Sequence, residues 1–201
     1  MADDLSAWPC GASSPFAVPR SRFVDLNGVD LRLRLSSFAA EFLTFGFIPA
    51  ERWRNHLHQH SHFEICYAFA GRGVFRMRGR AYPVGCGEVF IAKPGEEHEI
   101  VSSDDDPLGI YFWSYTLRVE PPVVAGRGAG QGNGGVSAEV DRLLHAFLQS
   151  STWVSPRVPG MARTLELMTE EIVRREPGFL GVLEGLARKL ILDAARAAVG
   201  A

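Results

Sequence analysis

Residues 55–100 read NHLHQHSHFEICYAFAGRGVFRMRGRAYPVGCGEVFIAKPGEEHEI, and this stretch decides the fold. Its apolar runs are short and are cut by the turn signals GRG, RGR, GCG and KPGEE, the punctuation of strands rather than helices. In residues 74–79, Phe75 and Met77 fall on one face and Arg76 and Arg78 on the other, as in a half-buried strand. The head of the stretch is more unusual. His56, His58, His60, His62 and Glu64 occupy five consecutive even positions. On a strand they would share one face, about 6.6 Å apart from one to the next. Leu57, Phe63, Ile65 and Tyr67 would take the other face, interrupted only by Gln59 and Ser61.

Outward from this stretch the same pattern continues. LRLRL and EFLTFGF precede it, and GIYFWSYTL follows the SDDDP turn. Many short strands in succession describe an all-β sandwich or barrel, not a βαβ sheet. The character changes near residue 125. AGRGAGQGNGG, residues 125–135, has neither Gly-x-Gly-x-x-Gly nor Gly-Lys-Ser/Thr context and reads as a flexible connector. Helical periodicity follows. Ser137 is placed to cap a helix carrying Val140, Leu143, Leu144, Phe147 and Leu148 on one stripe. A second helix, from near Pro159 to before Pro177, aligns Met161, Leu165, Met168 and Ile172. A third, Phe179–Val199, carries Leu183, Leu186, Leu190, Ala194 and Ala197 on one face. Val182, Ile191, Leu192, Ala195 and Val199 cover much of the other. Such a helix packs either on the barrel alone or also against a second subunit.

The whole chain, 201 residues and 22.1 kDa, suits one domain or one domain with an appendage. Apolar residues at 46% and charged residues at 22% exclude a disordered or fibrous chain. The net charge of −2 argues against a free-standing nucleic-acid binder. No run approaches the roughly 20 apolar residues of a membrane span, and MADDLSAWPCGASSP lacks the charge and apolar core of a signal peptide. Cys10, Cys66 and Cys86 cannot all pair within one chain, so a reducing cytoplasm is the expected location. No nucleophilic catalytic set is present, and no catalytic residue is assigned.

The spacing His58-x-His60-x3-Glu64-x6-Gly71 resembles the first cupin motif, and Gly87-x6-Pro94-Gly95-x2-His98 resembles the second in its transcription-regulator form. Arg52 stands where the first motif has a glycine, and Ser102 where the second has an asparagine. From His60 to Ile100 the run is closer still to the N-terminal effector-binding domain of AraC/XylS-type transcription regulators, with helices following the barrel as in that family. The resemblance implies a mainly β, double-stranded β-helix (cupin, or jelly-roll) barrel followed by C-terminal α-helices. On it, residues 1–29 form an N-terminal arm, 30–122 the effector-binding barrel, 123–136 a Gly-rich linker and 137–201 a helical dimerisation segment. It also implies His58, His60, Glu64 and His98 as ligands of one divalent metal, Zn, Ni, Fe or Mn.

The same four residues can instead form a polar wall around an organic effector. His56 and His62 exceed what one ion can hold at about 2.0–2.2 Å and are expected at the rim of the ligand site, while Phe75, Met77 and Trp113 are candidates for its lining. Cys66 continues the even-numbered face as a small buried thiol. The implied function is small-molecule sensing and homodimerisation in an AraC-type regulator. The family's DNA-binding domain would follow the third helix, where residues 180–201 hold no recognition-helix pattern. This chain alone is therefore not expected to bind DNA specifically, nor a membrane. The alternative is a stand-alone metal-dependent cupin enzyme, of dioxygenase or isomerase class, using the three histidines and Glu64.

Overall fold

The computed structural model describes residues 23–24, 29–51, 53–120, 134–156, 158 and 160–200. Most of the expected arm and linker, with Cys10, Arg52 and Pro159, lies outside the described residues. The strands are β1 (Phe23–Val24), β2 (Arg32–Leu35), β3 (Phe38–Ile48), β4 (Phe63–Ala70), β5 (Arg72–Met77), β6 (Arg80–Gly85), β7 (Val89–Ala92), β8 (His98–Ser102), β9 (Gly109–Val119) and β10 (Val154–Ser155). The helices are α1 (Gly134–Gln149), α2 (Met161–Arg174) and α3 (Phe179–Val199). Every strand pairing is antiparallel. The large sheet runs β1-β3-β9-β4-β7-β10 with β2 beside β3, and the small sheet runs β6-β5-β8. The cupin architecture is thus built of two facing sheets, with helices at its C-terminal end.

Two apolar layers hold these sheets. Between the sheets lie Cys66, Ala68, Phe75, Met77, Phe90, Ala92, Ile100 and Ile110. The outer face of the large sheet carries Phe38, Phe63, Ile65, Trp113 and Tyr115, which pack on Leu144, Phe147, Leu165, Met168, Leu183 and Leu190 of the helices. The order is helices, large sheet, small sheet. This explains why β4 (FEICYAFA) and β7 (VFIA) are apolar at nearly every position, since a middle layer buries both faces. The helices share one core with the large sheet, so they do not form a separate unit. Leu190 is fully buried in that core, and Ile191 and Ala195, expected on the opposite side of the helix, are buried with it. The large apolar residues that α3 leaves exposed are Leu180, Val182 and Val199.

Two boundaries away from the histidine run differ from the sequence reading. Helix α1 starts at Gly134, so Ser137 lies inside it rather than capping it. The helix is seated through Asp141, which accepts bonds from Ser36 Oγ at 2.9 Å, Ser37 N–H at 3.0 Å and Ser37 Oγ at 2.8 Å. The second difference is β1, which lies within the expected arm and pairs with β3. Gly71, the last residue of the first motif, must be glycine. Its φ is +62°, and a Cβ there would sit 1.9 Å from the Pro107 carbonyl oxygen.

Candidate metal centre

The histidine run is not the leading half of β4. That strand begins at Phe63, and the preceding residues form an irregular strap along β8. Ser102 N–H donates to Trp53 O at 3.1 Å and Asn55 N–H to Ile100 O at 3.2 Å. His58 and His98 exchange backbone bonds of 3.1 and 2.9 Å. The strap therefore edges the small sheet, and the chain crosses to the large sheet before Phe63. The expectation of one continuous strand fails because its second face has nothing to bury. Leu57 is 61% exposed, and Gln59 and Ser61 are exposed too, so no apolar stripe holds the segment in a sheet.

The crossing does what a straight strand cannot. It brings the rings of His58 and His60 within 4.3 and 4.9 Å of His98, centre to centre. Glu64, on β4, places Oε2 3.6 Å from His60 Nε2 and Oε1 3.7 Å from His98 Nε2. One ligand atom from each of His58, His60, Glu64 and His98 lies within 4.8 Å of the others. Of the nine residues singled out from sequence, these four come together as a set.

Each of the three rings is oriented in the same way. His58 Nδ1 lies 2.7 Å from His56 O, His60 Nδ1 2.8 Å from His62 O, and His98 Nδ1 2.9 Å from Glu96 O. A carbonyl only accepts, so each Nδ1 carries the hydrogen, and in the neutral ring the Nε2 lone pair is left to point elsewhere. His60 Nε2 and His98 Nε2 are buried and make no hydrogen bond. Leaving a buried polar atom without a partner costs about 1–3 kcal/mol. A site with orphaned, inward-aimed imidazole nitrogens and a carboxylate fits a divalent cation of the Zn, Ni, Fe or Mn type. An ion about 2.1 Å from each ligand would draw the four atoms slightly closer together.

The electrostatics agree with that fit. Burial opposes the charge on Glu64, but the facing His60 and His98 hold its carboxyl well below the usual carboxylate range. The same carboxylate raises His60, with burial in opposition. Burial, followed by the neighbouring His60, pushes His62 down. Burial, and secondarily Glu64, pushes the Cys66 thiol up, and its Sγ lies 3.7 Å from Glu64 Oε1.

The remaining candidates divide. His56 is exposed, and His62 stacks on His60 at 4.0 Å. Both supply backbone carbonyls to the ligand rings, a role the sequence reading missed although the His-x-His repeat carries its signal. Met77 is the cross-strand partner of His98, and the Phe75 ring is 6.0 Å from it, so both stand behind the site within the packed interior. Trp113 does not reach it. It lies on the helix-facing side of β9, opposite the inward face that carries Phe112 and Ser114. Its aromatic character alone could not tell the two faces apart. Outside the ligands, an open hollow of about 520 Å³ is lined by Gln59, His60, Ser61, Pro94 and Gly95. Gly95, at φ +79°, turns its N–H onto His60 O at 2.8 Å and so ties the second motif to the strap.

Comparison with known proteins follows the same lines. Over 61 residues the chain is 41% identical to an uncharacterized HTH-type transcriptional regulator, YfiF, of Bacillus subtilis (strain 168). That match covers 30% of this chain and only 19% of the relative. Among solved structures, it is similar to a cupin protein of Bacteroides fragilis, at 19% identity, 52% and 88% coverage and TM-score 0.31. It is also similar to a cupin 2 conserved barrel domain protein of Salinispora arenicola, at 18% identity, 65% and 98% coverage and TM-score 0.33. A predicted oxalate decarboxylase of Thermotoga maritima matches at 22% identity, 46% and 95% coverage and TM-score 0.31. No helix among the described residues is long and apolar enough to cross a membrane. The model of the AraC-like ligand binding domain matches residues 47–172, more than half of the chain and a span that contains the four convergent residues, and the chain belongs to that family.

Proposed function

We propose that this chain is a small-molecule sensing domain of an AraC-type transcriptional regulator whose ligand site is built on a divalent metal. The carrying observation is the set of three Nδ1-anchored histidines converging with the Glu64 carboxylate. His58, His60, Glu64 and His98 would hold the ion. When bound, the ion supplies a Lewis-acidic centre to which an anionic or carbonyl-bearing effector can attach. The protein's part is orientation. Backbone carbonyls fix the three rings, the His98 and His60 segments are tied through Gly95, and the hollow beside Gln59 and Ser61 admits the effector. Phe75 and Met77 back the site, while His56 and His62 serve it from the rim. The same reading makes the large exposed apolar residues of α3, Leu180, Val182 and Val199, the homodimer contact.

The same ligand set favours a second reading, a metal-dependent cupin enzyme. One experiment separates the outcomes. Protein purified without a His-tag or metal resin is analysed for metal, and its melting is followed with and without chelator. Near-stoichiometric metal, lost in His98→Ala, with a lower Tm after chelation, supports the metal-built site. A saturating ion at about 100 times its Kd would add about 2.7 kcal/mol. Sub-stoichiometric metal with no chelator effect defeats both metal readings and leaves the polar wall. Turnover of a small organic substrate by the loaded protein would favour the enzyme.

A further inference from the structure

We propose that Lys93 is a positioning residue that couples occupancy of the four-ligand site to the seating of helix α1; this rests on the metal-site reading above. Lys93 directly follows β7, whose last residue, Ala92, pairs with Glu64, and it opens the turn that ends at His98. A lysine ordinarily carries its ammonium to water, but this one is only 9% exposed. Its Nζ donates to Phe147 O at 3.0 Å, Leu148 O at 3.3 Å and Ser150 O. The first two are among the last carbonyls of α1, which lack i+4 donors within the helix; Phe147 O also accepts from Ser150 N–H at 3.2 Å. The last turn of α1 holds no basic residue of its own, so the cation that complements its C-terminal dipole comes from the turn carrying His98. The Phe147 and Trp153 rings flank the ammonium at 5.6 and 5.7 Å.

The other end of the turn reaches the ligands in three short steps. Glu96 N–H donates to Lys93 O at 3.1 Å, His98 Nδ1 to Glu96 O at 2.9 Å, and Gly95 N–H to His60 O at 2.8 Å. A parallel contact runs from Phe147 to Phe63 at 5.2 Å, next to Glu64 in the chain. All three ammonium hydrogens are engaged. A shift of the turn as the ligands draw in round an ion is therefore transmitted to the end of α1. Linkage requires the reverse as well: disengaging Lys93 must weaken binding of the ion.

The test uses the tag-free full chain, Zn(II) alone as probe, and hydrogen exchange over residues 140–149. In the wild type, Zn(II) is expected to slow exchange at the end of α1 at least about fivefold, the lower range of measured couplings. Lys93→Met keeps the stem packing but loses the donors. It is expected to bind Zn(II) at least about fivefold more weakly and to show no Zn(II)-dependent change in α1, with recovery in Lys93→Arg. A purely structural role would raise α1 exchange equally with and without Zn(II), leaving the Zn(II)-dependent difference intact, and would overturn the proposal. Binding of one Zn(II), abolished in His98→Ala, with no wild-type response in α1 overturns the coupling but spares the site. Failure to bind Zn(II) at all overturns both. The wild-type comparison decides whether or not Lys93→Met folds.

Discussion

Leu190→Ala tests the packing order helix–sheet–sheet directly. Leu190 is fully buried against a core that includes Leu144, Leu183, Ala187 and Ala194. Leucine-to-alanine changes in cores cost about 2–5 kcal/mol, more where neighbours cannot collapse into the space. The adjoining alanines on α3 have no reach to fill the cavity, so the upper half of that range, about 3–5 kcal/mol, is expected. For a chain of this size each kcal/mol lowers Tm by about 2–4 °C, giving a drop of about 6–20 °C. Leu190→Asp adds a desolvated carboxylate to the same loss. Together these rival a net stability of about 5–15 kcal/mol, so that variant should not fold. Val182, on the same helix but 45% exposed, provides the contrast. Val182→Asp should leave the monomer's own fold stable to within about 0.5 kcal/mol while converting the proposed dimer to a folded monomer. Thermal denaturation by circular dichroism, paired with light scattering after gel filtration, reads both effects. A folded Leu190→Asp monomer with wild-type Tm would refute the intrachain placement of Leu190. A dimeric Val182→Asp would refute the α3 contact.

Three further outcomes follow from particular residues. Tyr115 is fully buried, its hydroxyl makes no hydrogen bond, and burial pushes its pKa far up. Tyr115→Phe should therefore be neutral or stabilising by about 1–3 kcal/mol in urea denaturation; a clear loss of stability would show that the hydroxyl has a partner. Partial burial works against the charge on Asp141, but the Ser37 N–H and the Ser37 and Ser36 hydroxyls hold its carboxyl below the ordinary value. A depressed carboxyl stabilises the fold above its unfolded pKa, near ~3.9, and loses that contribution as pH falls through the folded value. The stability advantage of wild type over Asp141→Asn should thus shrink below about pH 4; an advantage that persists unchanged to low pH would contradict the assignment. Gly71→Ala would drive a Cβ into the Pro107 carbonyl at positive φ, so a wild-type urea midpoint for it would show that the β4–β5 turn is misplaced.

Much of this protein was legible in the chain itself. Alternation such as Phe75, Arg76, Met77 marks a strand because side-chain direction has period two. Met161, Leu165, Met168 and Ile172 mark α2 because helical periodicity is equally local. The motif spacings singled out His58, His60, Glu64 and His98, and those four do converge. The strand and helix readings depend on neighbours within a few residues, whereas the ligand set rests on the resemblance of two separated motifs to those of the cupins.

What the sequence could not decide depends on contacts between distant segments. The run from His56 to His62 looks like a strand, yet with Leu57, Gln59 and Ser61 exposed it has no second face to bury, and it edges the small sheet instead. Trp113 is as apolar as Phe112, but only the position of the helices shows that it faces them. Ser137 has a good cap signal, yet it lies inside α1, which is seated on Ser36 and Ser37 through Asp141. Leu190 is equally suited to a dimer interface and to a core, and only the layer order places it in the core. Local residue chemistry determined the elements, and the resemblance of two motifs to those of the cupins named the ligand set. Which face each element buries, and how the histidine rings meet, was decided by packing between parts of the chain far apart in sequence.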